Sequence, residues 1–143
     1  SEALALLPKD IDGCAVRVLR GKGGRPRTVG IDPAGLAVVE QWLEERARLR
    51  LRLQGPLICS RNGQTLTASY VRRLFTSLGK AAGIEKRVHP HGLRHTHASE
   101  LRTEGIDIGI ISKQLGHRSI STTAHYLDHI APWAVVEAIS ARA

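Results

Sequence analysis

The chain has 143 residues, of which 42% are hydrophobic and 24% charged, an ordinary balance for a globular protein that excludes wholesale disorder. This length predicts one compact domain over residues 1–143. Twenty-one Lys and Arg against thirteen Asp and Glu give a formal net charge of +8, which favours a polyanionic partner and salt-sensitive binding.

The cysteine content and the lengths of the apolar runs narrow the class of protein further. Cys14 and Cys59 are far apart, so the sequence predicts neither a disulfide framework nor a cysteine zinc cluster, and a reducing cytoplasm fits. The apolar runs fall far short of the roughly 20 residues that span a bilayer, and the start of the chain has no basic, apolar leader. We therefore expect no membrane association.

The first part of the chain is predicted to form a β-hairpin. Residues 15–19 alternate as a half-buried strand does, and residues 27–31 can return as its partner. The glycine-rich turn between them places Lys22 at a mobile, basic tip. Residues 57–59 are a candidate for one more short strand, and residues 61–64 supply turn chemistry.

Helices dominate the rest of the chain. Asp32 and Pro33 open a helix predicted to run to about Leu53. Thr67 caps a second helix, which ends at Gly83. This helix is predicted to be a core helix with a basic outer face. Its apolar stripe is Val71, Leu74, Phe75, Leu78 and Ala82. Three shorter helices begin near His91, Asp107 and Ser119, and Pro132 opens a last one. The fold class is mainly α with a small antiparallel β-hairpin or sheet.

Residues 89–126 contain six of the seven histidines. His91 and Arg94 are three residues apart, which on a helix places both side chains on one face, where they can converge on one anion. Taken alone, such a pair is more often an ion-paired arginine beside a histidine at a helix start. Tyr126, by residue type alone, is more often a helix tyrosine with a buried ring and a hydrogen-bonded hydroxyl.

Three sequence motifs, taken in chain order, favour a catalytic role for these residues instead. The segment from His91 to Ser99, HGLRHTHAS, resembles the HxLRH box of the tyrosine site-specific recombinases, also called the phage integrase family. Residues 114–117, QLGH, resemble that family's LGH box, and residues 121–126, STTAHY, resemble its STTxxY segment. His117 and Tyr126 are nine residues apart, which matches the family's spacing. Lys22 in GKGGRPR is similar to the lysine on the family's hairpin turn.

The resemblance implies the family's catalytic-domain fold, that of DNA breaking-rejoining enzymes, and its reaction. In that reaction a tyrosine hydroxyl attacks a DNA phosphodiester, giving a 3'-phosphotyrosyl link and a free 5'-hydroxyl, without ATP, metal or other cofactor. Tyr126 would be the nucleophile and Lys22 the general acid. His91 would be the base, and with Arg94 and His117 it would donate to the phosphate oxygens.

The resemblance also implies that the chain is a fragment. Residues 1–6 look like the end of the family's RxxEL helix, whose arginine would precede Ser1 by two residues, and the N-terminal DNA-clamping domain would also lie outside the chain. Since one transition-state donor is worth about 3 kcal/mol, we expect this fragment alone to be nearly inactive. Residues 132–139 resemble the tail that docks on a neighbouring protomer in a tetramer of the family.

Double-stranded DNA is therefore the expected partner. We expect a bacterial or phage-type protein of the nucleoid, in the cytoplasm, that acts in DNA recombination. Integration, excision, dimer resolution and movement of a cassette or mobile element all stay open. We assign no chemistry to Tyr70. Candidates for contacts to the DNA backbone are basic residues outside the HxLRH, LGH and STTxxY motifs: Arg25, Arg27, Arg61, Arg72, Arg73, Arg87, Lys113 and Arg118.

Two other interpretations stay open at this point. One is a noncatalytic DNA-binding relative or truncated regulator that uses its basic surface alone. The other is a metal-dependent protein built on His89, His95, His97 and His125. The metal interpretation is the weaker, because Glu100 is the one acidic residue near these histidines and a helix would splay the imidazoles around its circumference. His95 is expected to support the active site instead.

Overall fold

The computed structural model describes residues 2–19, 21, 25–117, 119–128 and 139–140. The chain divides into two compact units, Ser1–His89 and Pro90–Ala143. Lys22, Arg118 and residues 131–138, which hold most of the predicted C-terminal helix, lie outside the described residues.

A three-stranded antiparallel sheet forms in the first unit, after short 3-10 helices at Ala3–Ala5 and Pro8–Asp10. Its strands, in spatial order, are β1 (Ile11–Asp12), β2 (Ala15–Val18) and β3 (Arg27–Gly30). The β2–β3 pairing confirms the predicted hairpin, whereas β1 was not predicted. Val16 and Val18 are buried on one face of the sheet, as the alternation predicts.

Helix α1 covers Pro33–Arg48, and the predicted Asp32 cap is confirmed because its carboxylate accepts from the Gly35 N–H at 2.6 Å. The predicted end at about Leu53 is wrong. Arg50 has a φ of 52°, which takes the chain out of the helix, and Arg46 donates to the carbonyls of Arg52 and Pro56 at 2.9 and 2.7 Å. The buried guanidinium thus binds the returning chain across the end of the helix.

The candidate strand at residues 57–59 is also wrong, since Cys59 makes a single antiparallel bridge to Thr65. The predicted turn at residues 61–64, between Cys59 and Thr65, is confirmed. The N–H of Ser60 donates to the Gln64 carbonyl at 2.9 Å, and Gly63 has the positive φ of 75° that a glycine accepts readily.

Helix α2 covers Ala68–Ala81, and Thr67 caps it by accepting from the Tyr70 N–H at 3.1 Å. The prediction of a core helix is wrong, because Leu74 and Leu78 are 39% and 55% exposed and Gly79 is the buried residue of the helix. Val88 covers Gly79 so closely that a Cβ there would lie 2.5 Å from the Val88 side chain. Gly79 follows the half-buried Phe75 by one helical turn, so the helix is buried along one edge of its apolar stripe, while Leu74 and Leu78 stay exposed.

The second unit contains α3 (Pro90–Thr103), α4 (Ile108–Leu115) and α5 (Ile120–Asp128). The three predicted helix starts are confirmed, although α3 is as long as α2. A core of four buried residues joins the helices: Ala98, Ile111, Leu115 and Leu127. The predicted fold class, mainly α with a small antiparallel sheet, is confirmed. Within the described residues no helix has the length and apolar character needed to cross a membrane.

Candidate active site and nucleic-acid interface

Arg94 projects from α3 and is anchored by the end of α4. Its Nη2 donates to the main-chain carbonyl of Leu115, the last residue of α4. The last carbonyls of a helix have no partner within it, so this carbonyl can hold a guanidinium without breaking a helical hydrogen bond. One donor of Arg94 makes this contact, and guanidinium has five, so the group can be fixed in place and still bind an anion.

His117 follows α4 directly, because Gly116 ends the helix in the left-handed conformation with a φ of 70°. The Nδ1 of His117 lies 2.8 Å from the hydroxyl oxygen of Thr123, a residue of α5 that is wholly buried. Burial and, secondarily, the positive charge of Arg94 lower the pKa of His117 below its ordinary value. The lowered pKa favours the neutral form of His117, and the ring lies close enough to Arg94 to respond to its charge.

His91 and His95 form a contact of their own on α3. Their Nε2 atoms are 2.9 Å apart, and the rings meet edge to face with centroids at 4.3 Å. His91 is exposed and lies in the first turn of the helix, while His95, one turn later, is partly buried. The residue that we expected to support the site thus lies against the expected base.

Tyr126 is a residue of α5, three positions after Thr123. Helix α5 packs against both α3 and α4. Consequently His91, Arg94, His117 and Tyr126 lie on, or directly after, three helices that pack together in one unit. Lys22, the fifth expected catalytic residue, belongs to the other unit and lies outside the described residues.

The basic side chains expected to contact DNA fall into different surroundings. Arg72, Arg73 and Arg87 line an open groove of about 530 Å³ along α2, together with Lys80 and small hydroxyl residues. Arg27 is instead held in an ion pair with Glu2 at 2.5 Å, with about a quarter of its side chain exposed. The other described candidates, each exposed, are Arg25, Arg61 and Lys113.

Comparison with known proteins identifies the family. The model of the phage integrase family matches residues 1–131. The chain belongs to the phage integrase family. Among curated relatives of this integrase-family chain, tyrosine recombinase XerC of Thermodesulfovibrio yellowstonii is 35% identical over 76% of the chain and 38% of the relative. The putative integrase/recombinase y4qK of Sinorhizobium fredii is 38% identical over 89% of the chain and 41% of the relative.

Solved structures also support membership of the phage integrase family. The crystal structure of XerA recombinase superposes with a TM-score of 0.79 at 31% identity, over 92% of this integrase-family chain and 50% of the XerA chain. XerH bound to its palindromic difH substrate, in a post-cleavage complex, matches with a TM-score of 0.73 at 29% identity, over 98% and 40% of the two chains. The chain thus spans about two-fifths of the length of the curated relatives it matches.

Sequence reasoning missed two partners in this integrase-family site. The Leu115 carbonyl that holds Arg94 is a main-chain atom, for which no residue type gives a signal. Thr123 lies inside the STTxxY segment, but nothing in its residue type indicated a contact to His117. Among the described residues, no group of three or more His, Cys, Asp or Glu side chains is arranged to hold a metal ion.

Proposed function

We propose that this chain is the catalytic domain of a site-specific DNA recombinase or integrase, which cleaves and rejoins DNA strands through a 3'-phosphotyrosyl intermediate. The observation that carries the proposal is the convergence of Arg94 and His117 in one unit with the helix of Tyr126. A fixed guanidinium beside a neutral imidazole is suited to the nonbridging oxygens of a phosphodiester in its transition state.

The proposed cleavage step begins with attack of the Tyr126 hydroxyl oxygen on the phosphorus. His91 takes the tyrosine proton, because a phenol with a pKa of about 10 is a weak nucleophile at neutral pH. The bond from phosphorus to the 5'-oxygen breaks, and Lys22 gives that oxygen a proton. Arg94 and His117 donate to the nonbridging oxygens throughout. Attack by the 5'-hydroxyl of another strand reverses the steps, so no ATP, metal or other cofactor is needed.

Double-stranded DNA is the proposed partner. The basic groove along α2 supports this, because a groove lined by several cations attracts a phosphate backbone. XerH, a relative in structure, is solved with a DNA substrate. Arg25, Arg61, Arg72, Arg73, Arg87, Lys113 and Arg118 are the proposed backbone contacts, while Arg27 has Glu2 as a competing partner.

The proposal extends to the whole protein. By the resemblance to this family, we propose that the whole protein acts as a tetramer, in which residues 132–139 dock on a neighbouring protomer. We also propose that an upstream arginine and a DNA-clamping domain complete the active protein, and that this domain alone is nearly inactive. A DNA-joining enzyme of this type would act in the cytoplasm, at the nucleoid.

The decisive experiment traps the covalent intermediate. The protein that carries this domain is incubated with a nicked duplex containing its recombination site, where loss of a short 5'-ended fragment prevents religation. The expected result is a denaturation-resistant protein–DNA adduct that is abolished in Tyr126→Phe and retained in Tyr70→Phe, a matched change at an exposed tyrosine of α2. Salt-sensitive DNA binding without any adduct would support the noncatalytic alternative instead.

A further inference from the structure

The contact between His91 and His95 restricts where the protons of both rings can lie. At 2.9 Å between the two Nε2 atoms, two N–H groups cannot face each other and two lone pairs would repel. One Nε2 therefore carries a proton and the other accepts it. The ring orientations, 77° apart, allow the edge of one imidazole to meet the nitrogen of the other.

We propose that His95 is a positioning residue for His91: it accepts the Nε2–H of His91, so that Nδ1 is the nitrogen that receives the proton of the attacking tyrosine. This inference rests on the proposed function, in which His91 is the base. A base needs a lone pair at the nitrogen that meets the tyrosine, and Nε2 is occupied by His95. Nδ1 then has that lone pair only if the proton of neutral His91 is on Nε2.

Proton transfer strengthens the same contact. When Nδ1 of His91 takes the tyrosine proton, the ring becomes an imidazolium and its Nε2–H donates to a neutral His95, which makes the hydrogen bond charge-assisted. This is the role of an orienting group behind a histidine base. The new positive charge forms three residues from Arg94, whose guanidinium opposes it.

The acceptor nitrogen of His95 offsets part of the repulsion between Arg94 and the protonated ring of His91. The titratable residues on the elements packed against α3 are Lys113 on α4, His117 after it, and His125, Tyr126 and Asp128 on α5. Lys113, His117 and His125 are cationic or become cationic on protonation, so none of these three can stabilise the imidazolium. On α3 itself, the neutral imidazole of His95 is in direct contact with His91 and can accept its Nε2–H.

The proton positions can be measured directly by NMR on the 143-residue chain labelled with ¹⁵N, through two-bond correlations between ring nitrogens and carbon-bound ring protons. The expected result is that neutral His91 has its proton on Nε2 and neutral His95 has its proton on Nδ1. His95→Leu is expected to leave His91 as a mixture of both forms, whereas His95→Gln retains an acceptor oxygen and the single form. His97→Gln, an exposed change on the same helix, is the matched control and leaves the spectrum of His91 unchanged.

The kinetic counterpart uses the adduct assay on the protein that carries this domain. His95→Leu is expected to slow adduct formation about 10- to 100-fold, the usual cost of losing such an orienting partner, with unchanged DNA affinity. His95→Gln restores most of the rate, and His97→Gln has the wild-type rate.

Either of two results would overturn the inference: a neutral wild-type His91 with its proton on Nδ1, or a wild-type rate in His95→Leu. If His95→Leu does not fold, the wild-type spectrum and the rate of His95→Gln decide the question. A slow His95→Gln variant would then count against it. A wild-type protein that forms no adduct would overturn the proposed function itself, whereas the NMR result would still decide whether His95 orients His91.

Discussion

Thr123 holds the ring of His117 through a contact of 2.8 Å between its hydroxyl oxygen and Nδ1. Thr123 is wholly buried on α5, and His117 lies just after α4. The contact therefore ties the helix of the proposed nucleophile, Tyr126, to the segment that carries a proposed phosphate donor. Movement of α5 would displace Tyr126 and reorient His117 together.

Replacement of Thr123 by Val tests this contact, because valine keeps the shape of threonine and removes the hydroxyl. We expect Thr123→Val to slow adduct formation about 10- to 100-fold through misorientation of His117. The free energy of unfolding should fall by about 1–2 kcal/mol, because a partly buried ring nitrogen of His117 loses its hydrogen-bond partner. The measurements are the rate on nicked DNA and urea denaturation.

Thr122→Val is the matched control, since Thr122 precedes Thr123 on the same helix and is exposed. It should change neither quantity appreciably. Equal rates in the two variants would show that the threonine contact does not position His117 for the reaction.

The ionisation of His117 gives a second prediction. Burial is the larger cause of its lowered pKa and the charge of Arg94 the smaller. We therefore expect Arg94→Gln to raise the pKa of His117 only part of the way toward the ordinary value of about 6.5. NMR titration of the ring protons measures this directly. Arg102→Gln, at an exposed arginine in the last turn of α3, should leave it unchanged, and an identical titration in Arg94→Gln would refute the coupling.

Stability should follow the same ionisation. Because the pKa of His117 is lower in the folded than in the unfolded chain, the unfolded chain binds more protons once the pH falls below about 6.5. The free energy of unfolding therefore falls as the pH is lowered through this range, down to the folded pKa, and is regained above it. Urea denaturation at successive pH values should show this slope, and His117→Asn should reduce it.

Local features of the fold were predictable from sequence, and contacts between distant segments were not. The caps at Asp32, Thr67 and Asp107 each depend on a side chain and a main-chain N–H two or three residues away, which is why residue order alone reveals them. The position of His91 and Arg94 on one helix face likewise follows from their spacing of three residues.

The anchor of Arg94 lies 21 residues further along the chain, on a main-chain atom that periodicity cannot identify. The same reason explains two of the three errors in the predicted fold. The end of α1 is set by the carbonyls that Arg46 binds in the returning chain, and the part of α2 that is buried is set by Val88, which covers Gly79. An apolar stripe shows which face of a helix is able to be buried, whereas the neighbouring segments decide whether it is.

Arg46 provides a third prediction, because its guanidinium is buried among main-chain carbonyls and also reaches the Cys59 sulfur at 2.8 Å. Arg46→Met retains most of the apolar stem and leaves those carbonyls without their donor. We expect the free energy of unfolding to fall by about 3 kcal/mol, measured by urea denaturation. Arg48→Met, two residues on at the exposed end of α1, should stay within about 0.5 kcal/mol of the wild type. Equal midpoints for the two variants would contradict the structural role of Arg46.

The groove on α2 provides the last prediction, which concerns DNA affinity. Phosphate contacts release counterions, so the logarithm of the association constant falls with the logarithm of salt concentration, with a slope of about −0.9 per phosphate neutralised. If Arg73 and Arg87 each bind a phosphate, the double variant Arg73→Gln/Arg87→Gln should make that slope less steep by about 2. Affinity should fall for specific and unrelated sequences alike, because backbone contacts carry no sequence information.

The comparison requires a variant with the same loss of charge elsewhere in the unit. Arg17→Gln/Arg48→Gln removes two exposed arginines, each already paired with a carboxylate, and lowers the net charge by the same amount. If long-range attraction alone accounted for binding, the two double variants would lose affinity equally. The phosphate contacts would be assigned to the groove if the Arg17/Arg48 variant retained the steep salt dependence and the Arg73/Arg87 variant lost it. Direct contacts release counterions, whereas distant charges are largely screened at the ionic strength of the cell.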